Sequence, residues 1–257
     1  MDLPLSFRDD LLAALVEPDP DRKCAAVAAL RFDGAPLHGA AEADPRVPGR
    51  PQRPELIRPR DVPNRGLGTI EGRAALCHAV AHIEFNAINL ALDAAWRFGD
   101  LPAGYYADWL SVAQDEARHF LAMRQRLREL GSDYGALPAH NGLWEAAEKT
   151  AHDVLVRMAC VPRVLEARGL DVTPNMIHRL RELRDADTIA VLEVILDEEV
   201  RHVAIGSHWF RWCCAERGLD PTPTFKKLLA ENGVLLRPPF NHEARTRAGF
   251  LPEELGA

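Results

Sequence analysis

The chain is short of paired cysteine, of positive charge and of long apolar runs, and each shortage closes off a class. Its five cysteines, Cys24, Cys77, Cys160, Cys213 and Cys214, are odd in number and contain no Cys-x-x-Cys pair. A disulfide framework and a Cys-x-x-Cys electron-transfer domain are thereby excluded, and the thiols read as reduced packing residues of a cytoplasmic protein. A formal charge of −7 gives no global case for nucleic-acid binding. No uncharged apolar run reaches membrane-spanning length, so no membrane partner is expected. Met1 to Leu12 carries Asp2, Arg8, Asp9 and Asp10 where a leader would be apolar. At 257 residues the chain is long enough to bury a large core.

What is present is a phrase written twice, Asp115-Glu116-Ala117-Arg118-His119 and Glu198-Glu199-Val200-Arg201-His202. Each copy holds Glu-x-x-His inside an apolar helical pattern. Helix residues three apart project about 60° from one another, so Glu and His reach one point between neighbouring helices. With 19 Glu and 10 His in 257 residues, chance supplies roughly 0.7 such pairs, and spacing must carry the argument. Glu84 stands 32 residues before Glu116, and Glu166 stands 33 before Glu199. An antiparallel helix pair with a short loop gives this spacing and brings each lone Glu level with its motif. Two Glu-x-x-His motifs and two further Glu are the ligand set of a carboxylate-bridged two-metal bundle.

Proline places the boundaries. Residues 6 to 32 predict two short helices, with Ser6 as a cap and Pro18 and Pro20 as breaks. Six prolines from Pro45 to Pro63 alternate with Arg46, Arg50, Arg53, Arg58 and Arg60 and exclude helix or central strand. This segment reads as an extended strap, or else as a basic arm for a phosphate-bearing substrate. Four long helices follow: from Thr69 to Phe98, from Pro102 to a stop at Gly131, from Leu143 to Arg168, and from Ala186 to Arg217. Ser132 to Asn141 is the crossover. Pro162 falls one turn before Glu166 and must disturb the third helix, and Thr173-Pro174 is expected to start a separate short one. The expected architecture is all-α. It has N-terminal helices and strap over 1–68, a four-helix bundle over 69–218, and a covering tail over 219–257.

The six candidate ligands are Glu84, Glu116, His119, Glu166, Glu199 and His202. Four carboxylates in an apolar core repel one another, and two divalent cations cancel their charge. The bland alternative makes them solvated faces paired with Arg118 and Arg201. Glu145 and Glu148 compete with Glu166 for the third helix. His78 and His82 lie one turn apart, but about 200° separates His82 from Glu84, which favours supporting or surface roles. Tyr134, His140 and Trp144 cluster around the crossover as pocket or packing residues.

The stretches His82-Ile83-Glu84, Asp115 to Phe120, Leu165 to Pro174, Glu199 to Gly206, and Phe240-Asn241 with Arg245 resemble the bacterial ferritin-like family DUF455 over nearly all of residues 40–252. The resemblance implies a ferritin-like bundle with a dinuclear metal site, and it favours Glu166 over its rivals. More distantly, the chain is similar to a di-iron hydroxylase acting on a modified adenosine in transfer RNA. A pair of Fe ions, or Mn with the same ligands, would make an O2-dependent oxidoreductase or hydroxylase of a small molecule or modified nucleoside, supplied by a separate electron donor. Peroxide scavenging or ferroxidase activity, and a metal-stabilised helical binding protein without turnover, are the alternatives. The tail from Arg237 to Arg245 discriminates: Asn241 and Arg245 directed at the site favour a substrate pocket, while the same tail could be a homodimer contact.

Overall fold

The computed structural model describes residues 6–63 and 65–255. Met1–Leu5, Asn64, Gly256 and Ala257 lie outside the described residues, so the expected segments 1–68 and 219–257 are seen without them. Among the described residues every regular element is helical, and the only β interaction is an isolated parallel bridge between Leu56 and Ala139. The all-α class follows from that. The chain divides into two compact units, residues 1–144 and 145–257.

In the first unit Ser6 caps α1 (Phe7–Val16) through a capping box with Asp9, and Asp19 caps α2 (Pro20–Ala29) ahead of Pro20. Thr69 accepts from the amide of Gly72 and opens α3 (Ile70–Arg97). Pro102 precedes α4 (Ala103–Glu129), which ends at Gly131 with a φ of 82°. The pair α3 and α4 forms the principal packing of this unit, with α1 against α3 and α2 against α4. Lys23 joins them from within: its Nζ donates to the carbonyls of Ala14 and Leu15 and to Asn89 Oδ1 at 3.1, 2.8 and 2.8 Å. Helix α3 is long and apolar enough to cross a membrane, yet 78% of its most apolar window is buried inside the molecule.

The proline-rich segment is an extended strap with one 3-10 turn, Pro59–Asp61. Gly49 donates to Leu15 O at 2.9 Å, and the amides of Ala139 and Ile57 bond Glu55 O and Ala139 O at 2.9 and 2.8 Å. Arg46 and Arg58 are engaged by their neighbours Asp44 and Asp61. The crossover lies along α3, with the Gly135 amide donating to His78 Nε2 at 3.0 Å and the His140 carbonyl at His82, one turn on.

The second unit departs from the expected third helix in two places. The chain breaks at Thr150–Asp153, between α5 (Gly142–Lys149) and α6 (Val154–Cys160). Asp153 caps α6, and buried Arg157 reaches back to Thr150 Oγ1 and Ala147 O at 2.7 and 2.6 Å. Then Val161–Glu166 forms a π-helical turn, in which the Ala167 amide bonds Pro162 O five residues back. Pro162 lacks an amide and cannot continue the α-helical ladder, so the widened turn answers the expected disturbance. Thr173-Pro174 starts no new helix: α7 (Ala167–Glu182) runs through it. Pro174 leaves the carbonyl of Leu170 without its helical donor, and Asn241 Nδ2 donates to that oxygen instead, at 3.2 Å.

Asp185 caps α8 (Ala186–Glu216), which packs on α6, the π-turn and α7. The chain then continues into α9 (Pro221–Glu231) and α10 (His242–Arg247). All five cysteines are free and buried, Cys213 and Cys214 among them. Gly206 of α8 receives Pro162: a Cβ there would fall 2.4 and 2.5 Å from the proline Cβ and Cγ. Gly206→Ala is therefore expected to cost about 1–3 kcal/mol through overpacking, read as a lower urea midpoint. An unchanged midpoint would mean that the π-turn yields without resistance.

Candidate metal centre

Helix α3 supplies Glu84 and α4 supplies Glu116 and His119, at 3%, 0% and 2% exposure. Charges so far from water need a counter-charge at contact distance. His119 Nδ1 lies 3.2 Å from Glu116 Oε2 and 3.5 Å from Glu84 Oε2. One ligand atom from each of the three lies within 4.8 Å of the others. Donors sharing one ion through bonds of about 2.0–2.2 Å stand up to roughly 4.4 Å apart, so small side-chain adjustments bring this trio to a metal. Burial alone would push the His119 pKa down, but hydrogen bonds and charge from Glu116 and Glu84 outweigh it and hold it up at about 10. The carboxylates thus favour positive charge at this point, be it a proton or a metal ion.

In the second unit the last residue of the π-turn is Glu166, half-buried, and α8 presents Glu199 and His202 at 9% and 0% exposure. His202 Nδ1 lies 3.7 Å from Glu199 Oε1. The rival acids Glu145 and Glu148 are exposed on α5. Each unit therefore buries the Glu and His of its own Glu-x-x-His motif.

Tyr134 and His140 lie on the crossover, which is bonded to α3 in the first unit. The Tyr134 hydroxyl lies 2.9 Å from His82 Nδ1, and the His140 carbonyl 3.0 Å from His82 Nε2. The Tyr134 ring packs on Phe85 and Phe120, neighbours in sequence of Glu84 and His119, at 5.6 and 5.1 Å. The His140 side chain is exposed, and its Nδ1 accepts from the Gly142 amide. His78 and His82 are buried and support the crossover. Burial lowers both to about 4 from the ordinary 6.5. The unfolded chain then binds more protons than the folded one between those values, so the stability they contribute is complete above pH 6.5 and lost as pH falls toward 4. Urea unfolding at pH 7 and pH 4.5 is expected to show a loss of about 1–3 kcal/mol per histidine. His82→Gln should reduce that loss, and an equal loss in the variant would sink the assignment.

A family model described as "Protein of unknown function (DUF455)" matches residues 16–256. The chain belongs to the DUF455 family. An uncharacterized protein of Haemophilus influenzae is 43% identical to it over 265 residues, which cover 97% of this chain and 92% of that protein. No solved structure matches.

In this DUF455 chain the tail residues singled out by sequence make structural bonds. Arg245 is 1% exposed and donates to both carboxylate oxygens of Asp171, at 2.9 and 2.7 Å. The Asn241 side chain caps α10 and reaches Leu170 O, while its amide donates to Asp171. Asn241 also borders a cleft of about 310 Å³ with Glu193, Leu196, Asp197 and Val200 of α8. Sequence reasoning missed three participants. Asp171 lies inside a quoted stretch but 74 residues from its partner, and nothing marked Arg163 or Glu254.

Proposed function

We propose that Glu84, Glu116, His119, Glu166, Glu199 and His202 hold a pair of Fe or Mn ions in a ferritin-like arrangement, and that the protein is an O2-dependent oxidoreductase of hydroxylase type. The observation that carries this reading is the buried trio of Glu84, Glu116 and His119, whose atoms converge within 4.8 Å. The second motif adds buried Glu199 and His202 on α8, 3.7 Å apart. Four carboxylates and two neutral imidazoles match the charge of two divalent ions and offer the hard oxygen and nitrogen donors that both metals accept. When bound, such an ion pair supplies electrons to O2 at a single point.

The chain's own groups supply the rest. The helix pair α3 and α4 keeps water from the carboxylates of Glu84 and Glu116, which are 3% and 0% exposed.

A second reading, a metal-stabilised binding protein without turnover, draws support from the tail, where Asn241 and Arg245 are engaged with Leu170 and Asp171. Metal analysis of protein purified without a chelating tag, then anaerobic Fe(II) loading and exposure to O2, tests both. About two Fe per chain, lost in Glu116→Ala/Glu199→Ala, with O2 consumed on mixing, is the expected result. Metal retained by that variant would overturn the ligand set, and stable Fe(II) in air would favour the binding protein.

A further inference from the structure

The stretch from Arg163 to Asp171 brackets Glu166, and the C-terminal tail grips it on both sides. On the far side Arg245 holds Asp171 and donates to Ala167 O at 3.4 Å, while Arg168 donates to the carbonyls of Arg237 and Pro239 at 2.7 and 3.4 Å. On the near side Arg163 leaves the π-turn as a guanidinium with 0% exposure. Its Nη2 donates to Glu254 Oε2 at 2.8 Å and its Nε to Ser207 Oγ at 3.3 Å. The rings of Phe210, Phe225 and Phe250 surround it at 4.7, 4.1 and 4.6 Å. Nη1 has no hydrogen-bond acceptor among the described residues and meets ring faces instead.

A fully buried Arg–Glu pair adds little stability over apolar side chains of the same volume, because desolvating both charges offsets their attraction. What such a pair adds is direction: the planar Arg163 head is aimed by two different acceptors, Glu254 Oε2 at Nη2 and Ser207 Oγ at Nε, which it meets together in one orientation. Arg163 lies three residues before Glu166, about one turn. The π-turn between them has an unusual hydrogen-bond register and needs holding from outside. Gly206 and Ser207 of α8 provide half of that hold, the first making room for Pro162 and the second bonding Arg163. Glu254 provides the other half.

We propose that Arg163 and Glu254 are positioning residues that fix the π-turn, and through it the bearing of Glu166 as a metal ligand. The inference rests on the proposed two-metal function. It makes the C-terminal tail part of the metal site's construction, although none of its residues needs to touch a metal.

The test is anaerobic Co(II) titration of the full chain, followed by its visible spectrum, beside thermal unfolding. The informative variant is Arg163→Met/Glu254→Leu, which removes both charges at near-constant volume and so is expected to keep or raise the melting temperature. Glu254→Gln, of unchanged shape, is the second variant. The expected result is wild-type binding of two Co(II), with one of the two weakened tenfold or more in both variants and the ligand-field bands altered. Wild-type affinity and spectrum in a folded double variant would overturn the positioning role while leaving the metal reading intact. Loss of the fold in both variants would make the pair a structural staple and overturn the inference too. A wild-type chain that takes up no Co(II) would sink the metal reading and this inference with it.

Discussion

Asp171→Ala is expected to lower the unfolding free energy by about 3–5 kcal/mol, one of the largest single-residue effects in the chain. The Asp171 side chain is 0% exposed and that of Arg245 1%. Removing the carboxylate leaves a guanidinium in the interior with no counter-charge, between the rings of Phe240 and Phe250. It also takes away the acceptor of the Asn241 amide, so the cap of α10 loosens with it. Urea unfolding followed by circular dichroism measures the effect, and a loss under about 1 kcal/mol, the range of exposed pairs, would show that water enters the site freely. An exposed pair such as Arg181 with Glu193, at 3.5 Å, should show no comparable sensitivity.

Glu116→Gln separates a metal ligand from a structural ion pair. If Glu116 serves the metal, the amide should weaken binding by more than the roughly 10–100-fold that losing a mere supporting partner costs. The fold should survive in chelator-treated protein, because a neutral amide is easier to bury than a carboxylate and keeps its shape. Mn(II) titration by calorimetry and thermal unfolding on the same samples give both quantities. Loss of several kcal/mol of stability with metal binding unchanged would reverse the reading and make Glu116 a structural partner of His119. The two side chains, 0% and 2% exposed, leave no solvent to blur the distinction.

The helix pair of the first unit was legible because its signals are local. Thr69 caps, Pro102 opens, Gly131 stops, and a helical apolar period lies between. Glu116 and His119 share a face through their three-residue spacing, and the 32-residue separation of Glu84 from Glu116 fits an antiparallel pair that brings it level with them. The second unit was less legible because its decisive partners are distant in sequence. Nothing near Pro174 announces that Asn241 will supply the missing hydrogen bond. A proline that reads as a helix start is thereby carried inside α7. The break at Thr150–Asp153 is likewise settled from afar, for Asp153 holds Arg217 through two bonds of 2.7 Å. His78 and His82 were placed as supporting or surface residues, and burial decides for support.

A π-turn is a helix carrying one residue more than its α-helical ladder would hold. Between Val161 and Glu166 that surplus residue is absorbed by the wider turn, so the helix on either side keeps the bearing it would have without it. Pro162 is housed where no amide is required of it, and Gly206 of α8 leaves the room beside it. The rod thus carries a proline one turn before Glu166 without losing its direction.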